Sequence, residues 1–461
     1  MKFFCALAFL AVLGANVEAK EVVCYIPTWV DITSYVDTKL CTMFMISFGD
    51  VNADGSIRVP DLSSFKRLQT PTSKLLLALG GATAGVANFR AVAATPASRE
   101  NFAKNCLNVV KQHGLDGIDM DWEFPESYER TTFAELHQAI RDKFGSKYLL
   151  TTAVMPGNWR VRDEKVYDIA ALGKSCDFIN LMSYDYHADA SWDYNSGIFF
   201  NAPIRVNGYG DSVENGIKLF IEGGAPASKL NVGTPFYGRT YTLSSPSQNK
   251  PGDKWGAGGT QIMAANTPSY HDYCKKIADP SYTKKRDSLT MCPYMYKGTE
   301  WIAYEDEQSI KDKGDLANKY GLGGVMTWAL HQDDYSGVCS SCKWPLLKAL
   351  NSAIGRAKAC DGSSSGGNGG NVVVIPTTTQ KATTKKADGG NNGGNNNNNN
   401  NNNGGGSTTI ITKCPSTGTL PHPDCSKFYS CGAVGSAPYE MSCGSLQFDK
   451  VSGTCGWVCN N

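Results

Sequence analysis

Eight runs of strand length recur between residue 20 and about residue 355: Val22–Ile26, Met43–Phe48, Leu75–Leu79, Gly117–Asp121, Leu149–Val154, Phe178–Ser183, Val232–Phe236 and Gly324–Trp328. Helical patterns lie between many of them. Phe102, Cys106, Val109 and Val110 make one apolar stripe, and Phe133, Leu136, Ile140 and Phe144 make another. Strands alternating with helices leave two architectures: a closed (β/α)8 barrel or an open, doubly wound sheet. The count of eight favours the barrel. So do the polar and aromatic residues at the C-terminal ends of the runs, where such barrels build their active sites. An α/β fold, a TIM barrel over 20–355, is expected.

The fourth run carries the chemistry. Asp119, Asp121 and Glu123 stand at alternate positions, interleaved with Ile118, Met120, Trp122 and Phe124. Residues i, i+2 and i+4 of a strand share a face, so three carboxyl groups converge in one small space. Carboxylates that close resist ionising together. A proton is then held among them at neutral pH, which is how a glutamic acid stays a general acid. Calcium-loop spacing, with its glycine and spread oxygen ligands, is absent. Asp116 falls off the register and reads as support at the base of the strand.

The ends of the chain read differently. Lys2 followed by an apolar stretch from Phe3 to Leu13, with small residues at Val17 and Ala19, has the pattern of a secretory leader over 1–19. Sixteen cysteines suit an oxidising, extracellular compartment. Removing Cys5 with the leader leaves an odd number, so at least one thiol is free or pairs between chains. Cys106, on the apolar helical stripe, is the candidate for a buried free thiol. The formal net charge is +1, from 44 basic and 43 acidic residues, which argues for neither a nucleic-acid nor a membrane partner.

Between the seventh and eighth runs, about 238–305 is too long for a structureless loop. It is rich in aromatic residues, among them Trp255, Tyr270, Tyr273 and Trp301, and is expected to form a small inserted α+β lobe. From 356 to 411 the chain turns to Gly, Asn, Ser and Thr, with an unbroken Asn395–Asn403. Such a composition cannot offset chain entropy by burial and is read as a linker. Residues 412–461 hold Cys414, Cys425, Cys431, Cys443, Cys455 and Cys459. A segment that short needs staples. Disulfides are expected there, with zinc ligation as the rival, and the connectivity is open on spacing alone.

Asp116, Asp119, Asp121 and Glu123 together make an Asp-Xaa-Xaa-Asp-Xaa-Asp-Xaa-Glu octet that resembles the signature of the family 18 glycoside hydrolases, the chitinases. Other motifs follow in the family's order: Lys74–Gly81, Met182-Ser183-Tyr184-Asp185, Tyr237-Gly238-Arg239 and Gly323–Trp328. The resemblance implies an insertion before the eighth strand. It implies that Glu123 is the proton donor and later the base, and that Asp121 orients the substrate acetamido group. It further implies that Asp119 shares a proton with Asp121, that Tyr184 donates to the acetyl oxygen, and that Asp185 bonds near the same sugar. Trp328 becomes a sugar floor, although a Trp at a strand end also suits core packing. Tyr25, Phe48, Phe124, Met182, Tyr237 and Arg239 are groove candidates, Arg239 equally an ion-pair partner. Gly80 and Gly81 allow either close backbone approach at the groove or a plain turn. Ala82 stands where the family often has a Trp, which puts outer-subsite affinity and processivity in doubt.

The same resemblance suggests Cys24–Cys41, and Cys274–Cys339 is a plausible second bridge. The C-terminal cysteines, with Phe428, Tyr429 and Phe448, resemble the peritrophin-A type (family 14) chitin-binding module. That implies the pairs Cys414–Cys431, Cys425–Cys459 and Cys443–Cys455. Tyr429, Tyr439, Phe448 and Trp457 are candidate sugar contacts there.

The expected activity is hydrolysis of chitin. Three carboxyls on one strand face are too close to straddle a sugar. That suits the exception in which the substrate's own acetamido group is the nucleophile. The histidines show no metal spacing, and no nucleotide loop or nucleophile elbow is present, so no cofactor or metal is expected. The expected partners are chitin and chitooligosaccharides, and the protein is expected to be a monomer. The rivals are a non-hydrolytic chitinase-like lectin and an enzyme cutting N-linked glycan cores.

Overall fold

The structure, a computed structural model, describes residues 19–187, 197–206, 210–253 and 268–360, and the backbone of five short strands between 418 and 456. They fall into two compact units divided between residues 369 and 370. The expected leader, most of the expected linker, Trp255, Cys414, Cys425, Cys443, Cys459 and Trp457 lie outside the described residues. So do the side chains of Cys431, Cys455, Tyr429, Tyr439, Phe428 and Phe448.

All eight runs form strands: β1 (Glu21–Pro27), β2 (Met43–Val51), β4 (Lys74–Gly80), β5 (Gly117–Asp121), β6 (Leu149–Val154), β7 (Phe178–Leu181), β8 (Leu230–Pro235) and β13 (Gly324–Trp328). They pair in parallel in the order β1-β13-β8-β7-β6-β5-β4-β2, and β1 pairs with β2, so the sheet closes on itself. A two-residue strand, β3 (Ile57–Arg58), pairs antiparallel to the end of β2. Closure explains the near-continuous apolar runs. In a barrel ringed by helices both faces of every strand are covered. Val22, Met45, Leu76 and Ile118 are fully buried accordingly.

Five helices pack outside β4 to β8: α1 (Ala87–Ala93), α2 (Pro96–His113), α3 (Arg130–Phe144), α4 (Ile169–Ser175) and α5 (Val213–Glu222). The connection after β1 carries only short 3-10 turns, and the one after β2 carries β3 and one 3-10 turn. The longest helix, α2, has its ends written in the sequence. Thr95 accepts the Ser98 N–H at 3.0 Å while the Ser98 hydroxyl accepts the Thr95 N–H at 2.9 Å. This reciprocal cap, with Pro96 in the first turn, satisfies donors that a bare helix start leaves open. Its buried stripe is Phe102, Cys106, Val109 and Val110. Asp116 accepts the Leu75 N–H and the Gln69 amide, both at 2.8 Å, and so braces the bases of β4 and β5.

The segment 238–305 holds β9 (Arg239–Thr242), α6 (Tyr270–Ala278), β10 (Thr283–Arg286), β11 (Pro293–Lys297) and β12 (Glu300–Ala303). Its antiparallel sheet runs β10-β11-β12-β9 and encloses its own small core around Phe200, Tyr241 and Trp301. The chain leaves this lobe through Glu305, whose carboxylate accepts the ammonium of Lys313 at 2.7 and 2.8 Å and the hydroxyl of Ser309 at 2.6 Å. Lys313 lies on α7 (Glu307–Lys319), and α8 (Pro345–Ala353) follows β13.

Disulfides join Cys24 to Cys41, Cys274 to Cys339 and, without a sequence expectation, Cys342 to Cys360. Cys106, Cys176 and Cys292 are free and buried. No helix among the described residues is long and apolar enough to cross a membrane. In the second unit, β14 (Gly418–Pro421), β15 (Lys427–Cys431) and β16 (Tyr439–Ser442) form an antiparallel sheet, and β17 (Gln447–Asp449) pairs with β18 (Thr454–Gly456).

Candidate active site

A cavity of about 1000 Å³ opens at the C-terminal end of the barrel strands. The carboxylate row of β5 enters it from below. Asp119 is fully buried and lies deepest. It accepts the Tyr25 hydroxyl at 2.7 Å, the Thr151 hydroxyl at 2.5 Å and the Asn180 amide at 3.3 Å. Burial pushes its pKa up, against the pull of these three donors. Asp121 is also buried. Burial, then the charge of Glu123, then that of Asp119, hold its carboxyl well above the usual range. One of its oxygens, Oδ1, has no hydrogen-bond partner among the described residues. Asp121 and Glu123 share a hydrogen bond. Burial and the nearby Asp185 charge raise Glu123 to about 7, with the Asp121 bond pulling the other way. Asp119, with three donors of its own, is coupled to Asp121 through charge, while the hydrogen bond of Asp121 runs to Glu123.

Asp121 and Glu123 line the cavity, and Asp119 lies beneath. Trp328 forms a floor, packed against Tyr25 at 5.7 Å and nearly parallel to Phe48 at 5.6 Å and 20°. It both packs against these rings and lines the cavity. Met182, Phe124 and Tyr184 complete this side. Among the described residues the Tyr184 hydroxyl has only the Met326 sulfur, 3.8 Å away, as acceptor. Thioether sulfur accepts weakly, so that O–H is available to a ligand. Burial keeps it protonated by raising its pKa far above the ordinary value.

Asp185 follows β7 with left-handed backbone, φ 57°. Its backbone N–H donates to Asn201 at 2.9 Å. Its carboxylate accepts the Tyr237 hydroxyl at 2.6 Å and pairs with Arg239. Arg239 both lines the cavity and makes this ion pair, whereas Tyr237 reaches the cavity only through Asp185. Gly80 and Gly81 are not part of the wall. Both have positive φ, and a Cβ on Gly81 would lie 2.5 Å from the Phe48 ring. Gly81 leaves the space in which Phe48 sits, and Gly80 leaves room for the Asp121 carbonyl, 2.1 Å from where a Cβ would lie, and for the Phe89 ring.

Several wall residues escape a reading of the sequence. Trp29, after β1, is 60% exposed and stacks near Phe48. Trp159, after β6, is 39% exposed. Asp211 and His187 lie on loops beside it. Loop residues carry no periodicity, so nothing local marks them. Thr151 stands opposite Asp119 in the β5–β6 register, a signal that exists only once the pairing is known. Among the described residues no group of His, Cys, Asp and Glu is arranged to hold a metal.

Comparison with known proteins places this geometry. The family model described as glycosyl hydrolases family 18 matches residues 21–333. The chain is 30% identical over 373 residues to chitotriosidase-1 of Mus musculus, covering 73% of this chain and 78% of that protein. Among solved structures, the Group IV chitinase of Ostrinia furnacalis in complex with allosamidin superimposes with a TM-score of 0.66 at 30% identity, covering 74% of this chain and all of that one. Human YKL-39, described as a pseudo-chitinase with retained chitooligosaccharide binding, superimposes with a TM-score of 0.67 at 26% identity, covering 73% of this chain and all of that one.

Proposed function

This chain belongs to glycosyl hydrolase family 18, and from that premise we propose that it is a secreted chitinase cutting β-1,4 linkages between N-acetylglucosamine units with retention of configuration. One observation carries the reading. Glu123 is a carboxylic acid whose surroundings keep it protonated up to about pH 7, at the mouth of a buried carboxyl row and facing an aromatic-floored cavity. Such an acid can give its proton to the leaving oxygen of a glycosidic bond.

The cation must be captured by something else. Asp119, Asp121 and Glu123 share one strand face, and Asp185 is held by Tyr237 and Arg239. A substrate acetamido oxygen attacking the anomeric carbon fits this arrangement better than a protein nucleophile. Glu123 protonates the leaving oxygen as the C–O bond breaks, and the acetamido oxygen closes an oxazolinium ring. Asp121, with its unpartnered Oδ1, accepts the acetamido N–H and stabilises the positive ring. Tyr184 donates to the acetyl oxygen. Glu123, now a carboxylate, takes a proton from the incoming water, which reopens the ring from the original face.

The ends of the chain complete the proposal. Residues 1–19 are read as a leader, 356–411 as a linker and 412–461 as a chitin-binding module stapled by its six cysteines. Tethering makes the encounter with insoluble substrate effectively intramolecular. The second reading, a lectin, draws on the likeness to YKL-39. The complete acid constellation weighs against it. Incubation with chitotetraose decides: release of shorter oligomers supports the hydrolase, and tight binding with no product after prolonged incubation establishes the lectin.

A further inference from the structure

Asn231 on β8 is not among the residues that line the cavity, yet it ends a polar chain that begins at the carboxylate row. The interior of a closed (β/α)8 barrel is dominated by bulky branched side chains. Here one interior layer is polar instead. Asp119, Thr151, Asn180 and Asn231 stand on the neighbouring strands β5, β6, β7 and β8, and Tyr25 on β1 joins them.

Asn180 and Asn231 stand opposite each other in the β7–β8 register, and both are fully buried. The Asn231 amide donates to the Asn180 Oδ1 at 2.9 Å. That turns the Asn180 Nδ2 toward the site, where it donates to the Tyr25 hydroxyl and to Asp119, both at 3.3 Å. An Asn180 amide turned the other way would set its oxygen against the Asp119 carboxylate, acceptor against acceptor. The Oδ1 of Asn231 has no hydrogen-bond partner among the described residues. It occupies space that Gly324 leaves, since a Cβ there would lie 2.8 Å from it. A buried oxygen without a partner costs folding free energy, so this amide is kept at a penalty.

We propose that Asn231 is a positioning residue for the hydrolysis: it fixes the Asn180 amide with its donor toward Asp119, and so helps to hold Asp119 as a carboxylate beneath Asp121. The three donors to Asp119, from Tyr25, Thr151 and Asn180, are all neutral. Burial raises Asp119, and the Asn180 bond is one of the three that pull it down. After burial and the charge of Glu123, the Asp119 charge is what keeps the Asp121 carboxyl protonated. The titratable groups around Asp119 among the described residues are Tyr25 on β1, Asp121 on β5 and Cys176 just before β7, and none is a cation. The inference rests on the chitinase reading for its link to turnover, and on geometry for the relay from Asn231 to Asp119.

Valine and threonine share a shape and differ by one hydroxyl, so Asn231→Val and Asn231→Thr isolate the donor. Asn231→Val should be at least as stable to urea as the wild type, because the unpartnered oxygen is gone. It should nonetheless lose about fivefold in kcat/KM on chitotetraose, the size of one neutral hydrogen bond. The limb that Glu123 sets near pH 7 should move to lower pH, because a less charged Asp119 holds the Asp121 proton less firmly. Asn231→Thr should recover part of both. If Asn231→Val does not fold, Asn231→Ala and Asn231→Ser are compared in the same way. Unchanged kcat/KM with an unmoved limb, whatever the stability, overturns the proposal. Carbon-13 NMR titration of the Asp119 carboxyl, assigned with Asp119→Asn, separates the relay from the activity reading. If the wild type cleaves nothing, the hydrolase reading falls. An Asp119 carboxyl that titrates at higher pH in Asn231→Val still upholds the relay, and an unmoved one overturns it.

Discussion

Replacing Glu123 by glutamine stabilises the folded barrel above neutral pH, by an amount that follows from the surroundings of this carboxyl. Burial and the Asp185 charge raise it from 4.5 to about 7. Between those values the unfolded chain has released the proton and the folded protein still holds it. Folding stability therefore falls as pH rises through this window, and the penalty is complete above about 7. At about 1.36 kcal/mol for each tenfold change, the span from 4.5 to about 7 makes the full penalty about 3 kcal/mol. Glutamine escapes it but replaces the Asp121 hydrogen bond imperfectly, a cost of about 1 kcal/mol. The net gain is about 2 kcal/mol near pH 8, turning into a loss of about 1 kcal/mol near pH 4. Urea denaturation followed by tryptophan fluorescence, at both pH values and for both proteins, measures the difference. A variant with the same stability difference at the two pH values, or one destabilised at both, would refute the claim that Glu123 is held protonated against a cost in folding.

The other predictions concern activity and packing. The kcat/KM profile should lose activity as pH climbs through about 7, where Glu123 ionises. In Asp185→Asn that limb should move to lower pH because a charge favouring the proton is gone, and an unmoved limb would remove Asp185 from this role. Gly81→Ala combines a left-handed backbone with a Cβ 2.5 Å from the Phe48 ring. It should cost about 2–4 kcal/mol and raise KM through the Phe48–Trp328 stack, so a thermal melt and KM both equal to wild type would contradict the packing account. Deleting residues 414–461 should spare activity on soluble oligomers and weaken it on solid chitin, and equal loss on both substrates would sink the module's proposed role.

The barrel was legible because its strands are covered on both faces and therefore stand out as apolar runs bounded by polar loops. Asp119, Asp121 and Glu123 were legible for a related reason: in a strand this buried, three carboxyls on one face have no structural excuse. What stayed hidden depends on the chain folding back on itself. Thr151 and Asn180 look like ordinary polar breaks in their strands until the β5–β6 and β6–β7 registers bring them beside Asp119. Trp29, Trp159 and Asp211 sit on loops, where neither period applies. Cys342 and Cys360 come within bridging distance only because α8 returns the chain, with their Cα atoms 6.0 Å apart. The hydrogen bond between Asp121 and Glu123 was hidden too, because spacing along a strand says nothing of depth. Asp119 reaches the donors of Tyr25, Thr151 and Asn180 first.

The central claim is that Glu123 protonates a glycosidic oxygen while the substrate's own acetamido group captures the anomeric carbon. The direct measurement is product release from chitotetraose by the wild type and by Glu123→Gln, with the anomeric form of the new reducing ends read by NMR before mutarotation. The account predicts β-anomer chitobiose from the wild type and no product from a variant that still binds the tetramer. An α-anomer product would contradict the retaining mechanism, and a Glu123→Gln variant that cuts as fast as the wild type would contradict the role of Glu123.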